Sequence, residues 1–263
     1  SAMLAAQGMP SGKVQLRDTF LQALPSASKA QTGPVVMAKP LGWQPAEGYI
    51  FIVTYGRSGS TLLQTLIQSA EGCFLRGENE NALFPLYEAW KRARSVRQRF
   101  DTRRTVPPHG PWYGADEIDA DAYAARLVDT FVAEVIRPPE NARMVGFKEI
   151  RYGDLEADEL RSFLDFIYRF FPRARFVFNT REWQDVARSS WWQDTDEAFV
   201  ENLVTRSDRV FAQFAADHPD ICFLHRYETF DGDVAVFRPL FDFLGKPFDA
   251  EKIKVLATRK LGH

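Results

Sequence analysis

The chain carries its apolar residues in two spacings. Positions 49–54, Tyr-Ile-Phe-Ile-Val-Thr, form an unbroken apolar, β-rich run, the pattern of a strand buried on both faces. A glycine-containing turn follows, and 61–67 then reads as a helix. A short strand at 73–75 leads to a helical stretch over 81–99, and the proline- and glycine-rich 106–114 is a loop. Helical spacing returns at 121–136 and stops at Pro138-Pro139. Residues 143–149 are strand-like, and 156–171 is an amphipathic helix ended by Pro172. A second buried strand is expected at 175–180, helices at 183–192 and 197–216, a strand at 221–225, and a helix at 234–244 stopped by Gly245.

Strands that alternate with helices imply an α/β fold, a parallel sheet flanked by helices on both faces. Residues 1–46, rich in Ala, Gly, Pro, Ser and Gln, read as a loosely attached, flexible arm, and 47–263 as a single domain. Ser1-Ala2-Met3 has the look of a scar left by tag removal.

Composition narrows the classes. The chain has 263 residues, room for one sizeable domain, and is 45% hydrophobic and 26% charged. Its net charge of -2 argues against bulk binding to nucleic acid or a membrane surface, so an anion site must be built locally. Cys73 and Cys222 sit among apolar neighbours and read as buried reduced thiols. No apolar run approaches the ~18 residues of a membrane span. No secretory pattern opens the chain, so a cytoplasmic, bacterial-type location is expected.

The candidate chemistry starts at Tyr55-Gly56-Arg57-Ser58-Gly59-Ser60-Thr61, between a buried strand and a helix start. Gly56 and Gly59 permit a tight turn, and the free N–H groups of the helix N-terminus face an anion. Arg57, Ser58, Ser60 and Thr61 add charged and hydroxyl donors. The same residues would also make a plain Gly/Ser turn capped by Thr61. A nucleoside-triphosphate loop would carry lysine after its second glycine, and Ser60 stands there. A P-loop kinase-type phosphotransferase is therefore the second reading, and a non-catalytic nucleotide-binding module the third.

With this loop the chain resembles the sulfotransferase superfamily, whose first signature is a strand, a loop (K/R)-S-G-(S/T)-T, and a helix. The resemblance implies that Arg57, Ser58, Gly59, Ser60 and Thr61 hold the 5′-phosphosulfate of 3′-phosphoadenosine-5′-phosphosulfate (PAPS). A P-loop-like core is part of that expectation. Arginine at the loop's start is similar to the tyrosylprotein and bacterial carbohydrate enzymes. The second signature is a strand ending in arginine with a serine eight residues later on the next helix. Arg181 and Ser189 match it, which implies that they bind the donor's 3′-phosphate. Tyr227, in Arg226-Tyr227-Glu228, is similar to the tyrosine that contacts adenine, and Phe243-Leu244-Gly245-Lys246-Pro247 resembles a downstream stretch. Lys260 sits where relatives close a loop over the 3′-phosphate. The match runs from about Tyr49 to the C-terminus.

Sulfuryl transfer needs a base for the acceptor hydroxyl and positive charge at the departing oxygen. Arg57 suits the second role, and Lys148 resembles the lysine that the family places beside the sulfuryl group. The histidine that the cytosolic branch carries two residues later is Ile150 here. The tyrosylprotein branch uses a glutamate about 21 residues past the loop arginine, and Glu78 has that separation from Arg57. Glu78 is thus the candidate base, with Glu80 next and His109 a loop alternative; both glutamates would also serve as helix-leading charges. The histidines and cysteines lack metal-ligand spacing, so no metal is expected. The basic run 91–104, seven cations to one acid, is a solvated face or a hint of an acidic acceptor. The expectation is a PAPS-dependent sulfotransferase acting on a hydroxyl of a saccharide or of a peptide tyrosine. A glycan or peptide is then the partner besides the nucleotide donor, and a homodimer is allowed.

Overall fold

Strand β1 (Tyr49–Val53) is buried at every residue and runs through the middle of the sheet. The computed structural model describes residues 42–100 and 106–258. Lys260, Asp101–Arg104 of the basic run and most of the 1–46 arm lie outside these residues.

Four strands join β1: β2 (Cys73–Arg76), β3 (Met144–Glu149), β4 (Arg175–Thr180) and β5 (Cys222–Arg226). All neighbours pair in parallel, in the order β2-β3-β1-β4-β5. The period-two alternation of β1 splits the core into two layers. Tyr49, Phe51 and Val53 enter one layer with helices α2 (Phe84–Phe100), α3 (Ala120–Phe131), α4 (Ala157–Phe170) and α6 (Glu197–Asp217). Ile50 and Ile52 enter the other with α1 (Ser60–Gln68), α7 (Arg238–Leu244) and α8 (Ala250–Thr258). Helices therefore cover both faces, as expected for an α/β parallel sheet. In the first layer Phe51 packs edge-on to Phe147 and Phe171, with centroids 5.3 and 4.9 Å apart. Each such fully buried ring contributes roughly 1.5–3 kcal/mol.

Helix ends follow local chemistry. Asp119 accepts from the Ala122 N–H at 2.9 Å to start α3, and Asp196 accepts from Ala198 at 2.7 Å to start α6. Gly245, at φ 67, ends α7. Three expected helices are broken instead of continuous. The one at 121–136 widens into a π-helical turn at Val132–Ile136, and the one at 234–244 starts as a 3-10 turn at Val234–Phe237. The one at 183–192 stops early: α5 spans only Trp183–Ala187, and Ser190 takes a left-handed φ of 53 before a 3-10 turn over Ser190–Asp194. Helix α8 follows Pro247 and was not expected.

The segment just before β1 is fastened to the domain. Arg173 donates to the Pro45 and Ala46 carbonyls at 2.8 Å, the Gly42 N–H donates to Asp129 at 2.9 Å, and Trp43 packs on the core. Among the described residues no helix is long and apolar enough to cross a membrane. Both cysteines are free, and burial pushes Cys73 up to about 11 and Cys222 up to about 12, so neither thiol is nucleophilic at neutral pH.

Close strand approach makes one glycine indispensable. A methyl group on Gly146 of β3 would stand 1.5 Å from the Ile50 carbonyl oxygen in the central strand. Neither backbone can retreat without opening the sheet. Gly146→Ala should cost about 3 kcal/mol or more, read as a lowered midpoint in urea unfolding.

Candidate active site

The carboxyl ends of β1 and β4 lie side by side at the point where the connections of the sheet diverge, which is where open α/β sheets place ligands. The loop after β1 is locked to β4 there. Thr54, fully buried, donates from Oγ1 to the Asn179 carbonyl at 2.7 Å. Its hydroxyl lies 2.7 Å from Ser58 Oγ, and with its own proton committed to the carbonyl it accepts from Ser58. The Asn179 amide donates back to the Ser58 carbonyl at 2.7 Å. Ser58 is thus sealed inside: its hydroxyl holds the loop, while its expected role as a side-chain donor to an anion would leave Thr54 without that bond.

The rest of the loop faces outward. Arg57 sits at φ 65 and Gly59 at φ 79, so the backbone turns sharply before α1. No side chain caps α1 and no acid stands in its first turn, which leaves its N–H groups and positive dipole end available to an anion. A Cβ on Gly59 would meet the Tyr227 ring at 2.3 Å, so glycine is required here for space as well as for φ. Tyr227 stands on the 3-10 turn after β5, and the Arg181 guanidinium lies over its ring at 4.3 Å.

The two signature arginines meet. Arg181 Nη1 donates to the Arg57 carbonyl at 2.8 Å, and Arg57 Nε donates to Ser189 Oγ at 3.0 Å. Ser189 was expected on the helix after β4; it lies instead in extended backbone just past α5, at φ -108. The left-handed step at Ser190 turns Trp191 back onto the loop, where the Arg57 guanidinium lies 5.4 Å from its ring centroid.

Lys148 and Glu78 also converge. Lys148 is the next-to-last residue of β3 with its side chain buried, Glu78 follows β2 half-exposed, and the two form an ion pair. One cavity of about 470 Å³ is lined by Arg57, Ser60, Thr61, Arg181, Tyr227 and this Lys148–Glu78 pair. Glu80, which followed Glu78 as the candidate base, instead pairs with Arg151 at 3.0 Å and is largely exposed. His109 is exposed on its loop and does not line the cavity.

A sulfotransferase family model matches residues 49–250. The chain belongs to the sulfotransferase family. Among solved structures, the sulfotransferase domain of the Synechococcus PCC 7002 olefin synthase is similar to this family member in fold. It aligns with a TM-score of 0.53 and 20% identity, over 86% of this chain and 82% of that one. A thymidylate kinase from Candida albicans aligns with a TM-score of 0.39 and 11% identity, over 77% of this chain and 96% of the kinase. No curated protein matches the chain.

Three parts of the candidate site escaped sequence reasoning. Glu149 is fully buried, and its carboxylate accepts four backbone N–H groups: Asn79 and Asn81 at 3.0 and 2.9 Å, Ile150 and Arg151 at 2.8 and 3.1 Å. It therefore ties the Glu78 segment to the end of β3, where Lys148 stands. Trp191 closes the cavity; the Trp191-Trp192 doublet among polar neighbours was the available signal. The third is behind Arg181, whose N–H donates to the Tyr55 hydroxyl at 2.8 Å. That hydroxyl meets Asp208, whose carboxyl burial pushes up to about 7 and the Tyr55 contact pulls only partly back.

A carboxyl raised in the folded state binds its proton more tightly there than when unfolded. The stability it adds is complete below the ordinary carboxylate range and fades as pH rises toward about 7. Asp208→Asn keeps an acceptor for Tyr55 and removes the buried charge. It should melt several degrees above wild type at about pH 8, with the gain vanishing near about pH 4, as read by thermal scans across pH.

Proposed function

We propose that this family member transfers a sulfuryl group from PAPS to an acceptor hydroxyl. The observation that supports this reading is that a single cavity is lined by both signature arginines and by the Lys148–Glu78 pair. A donor with a 3′-phosphate and a 5′-phosphosulfate, whose terminal sulfur must meet the acceptor alcohol, needs those groups together.

The donor fits the residues present. Arg181 Nε is buried with no partner among the described residues, although its Nη1 is engaged, which suits a phosphate beside it. In this reading Arg181 and Ser189 take the 3′-phosphate, and the open N-terminus of α1, with Arg57, Ser60 and Thr61, takes the 5′-phosphosulfate. Gly59 lets the backbone and the Tyr227 ring approach each other, and Tyr227 faces the adenosine. Ser58 acts through the fold of the loop and its backbone. Lys260 belongs to the proposed 3′-phosphate set by resemblance alone.

Chemistry follows from the ion pair. The acceptor oxygen bonds to sulfur as the bond from sulfur to the bridging oxygen breaks, and that electron pair leaves with the bisphosphate nucleotide. Glu78 takes the hydroxyl proton. Once neutral, it no longer holds the Lys148 charge, which is then free to serve the departing oxygen with Arg57 as negative charge grows there. No metal enters this scheme.

Two experiments test it. In calorimetry, 3′-phosphoadenosine-5′-phosphate should bind far more tightly than 5′-AMP. Arg181→Ala should remove about 1.5–3 kcal/mol of that preference. Equal affinities for the two nucleotides in the wild type would exclude the donor. In steady-state kinetics with PAPS and a working acceptor, Glu78→Gln should lower kcat by roughly 10²–10⁴-fold while nucleotide affinity holds. Wild-type turnover in that variant would remove Glu78 as the base.

A further inference from the structure

A second cavity, of about 260 Å³, shares three walls with the first: Glu78, Ile150 and Trp191. Its remaining walls include Trp192, Arg151 and Asp154. Two glycines keep it open. A methyl on Gly56 would stand 3.0 Å from the Trp191 ring, and one on Gly153 would stand 2.9 Å from Leu203. Glu78 therefore borders both spaces, the position required of a base whose alcohol enters from one and whose sulfur lies in the other.

The lining restricts what enters. Its charged residues are two acids, Glu78 and Asp154, and one arginine. That arginine is already engaged, with Glu80 at 3.0 Å and Asp154 at 3.6 Å. A carboxylate or sulfate on the incoming molecule would find no unpaired cation in a lining whose acids are also paired, Glu78 with Lys148 and Asp154 with Arg151, so its lost hydration would go uncompensated. The basic run on α2 does not relieve this, since none of its residues lines the cavity. Trp191, 54% exposed, offers an apolar plane beside these polar groups. A saccharide ring matches that combination, with one C–H face for an indole and several hydroxyls for Asp154 and Arg151. A phenol would spend its only hydroxyl at Glu78 and turn C–H edges toward both charged groups.

The geometry points to this cavity as the seat of the acceptor, a neutral saccharide bearing no acidic group. The inference rests on the sulfuryl-transfer reading and adds the acceptor's class to it. The test offers the full chain PAPS with methyl glucoside, methyl glucuronide or p-cresol and measures sulfated product by mass spectrometry. Binding of 3′-phosphoadenosine-5′-phosphate is measured in parallel. The glucoside should exceed the glucuronide in kcat/KM by about tenfold or more, and Asp154→Lys should erase that preference without changing nucleotide affinity. The glucuronide or p-cresol performing as well as the glucoside would overturn the inference. So would an unchanged preference in Asp154→Lys, or no sulfated product from any of the three while the nucleotide binds. Loss of nucleotide binding itself would overturn the sulfuryl-transfer reading and this inference with it.

Discussion

The site depends on a buried amide. Asn179, at the end of β4, donates to the Ser58 carbonyl while its own carbonyl accepts from Thr54. Three strongly hydrogen-bonding residues are thereby satisfied away from water, where each unmet polar group would cost about 1–3 kcal/mol. The loop after β1 can take its left-handed steps at Arg57 and Gly59 because this lattice holds its base. Arg181 extends the same connection by donating to the Arg57 carbonyl. Two strands, far apart in the chain but adjacent in the sheet, thus bring both signature segments to one place.

The acidic side of the site is organised by a second buried group. Glu149 gathers backbone N–H groups from the segments after β2 and β3, which fixes the distance between Glu78 and Lys148. An apolar residue at 149 would leave four donors in need of partners. The adjacent pair Lys148-Glu149 divides the labour: one charge reaches the cavity, the other holds the wall. This also accounts for the different fates of Glu78 and Glu80. Glu80 takes a left-handed φ of 55 and points to Arg151 at the rim, so only Glu78 enters the cleft.

Trp191 gives the cleft its two compartments. An uninterrupted helix through residue 192 would have carried this side chain elsewhere. The left-handed step at Ser190 returns it to Gly56 and to the Arg57 guanidinium, with one cavity on each side. A plane of this kind adds little to folding, since half of its surface stays in water. Its contribution lies in shape.

The sequence alone determined the parallel α/β sheet, because unbroken apolar runs and amphipathic stretches alternate with the correct periods. It also made the loop at 57–61 and the Arg181–Ser189 spacing legible, because each signature is a short stretch of contiguous chain. Glu78 was legible only through its separation from Arg57. Tertiary structure decided the rest. Ser58 became a buried brace between Thr54 and Asn179, and Ser189 fell outside the helix because α5 already ends at Ala187. Glu149 could not be told from a surface acid, since its four donors come from two segments separated by about 70 residues. Periodicity reports which face of an element is buried; it carries no record of which distant backbone N–H groups will need a carboxylate.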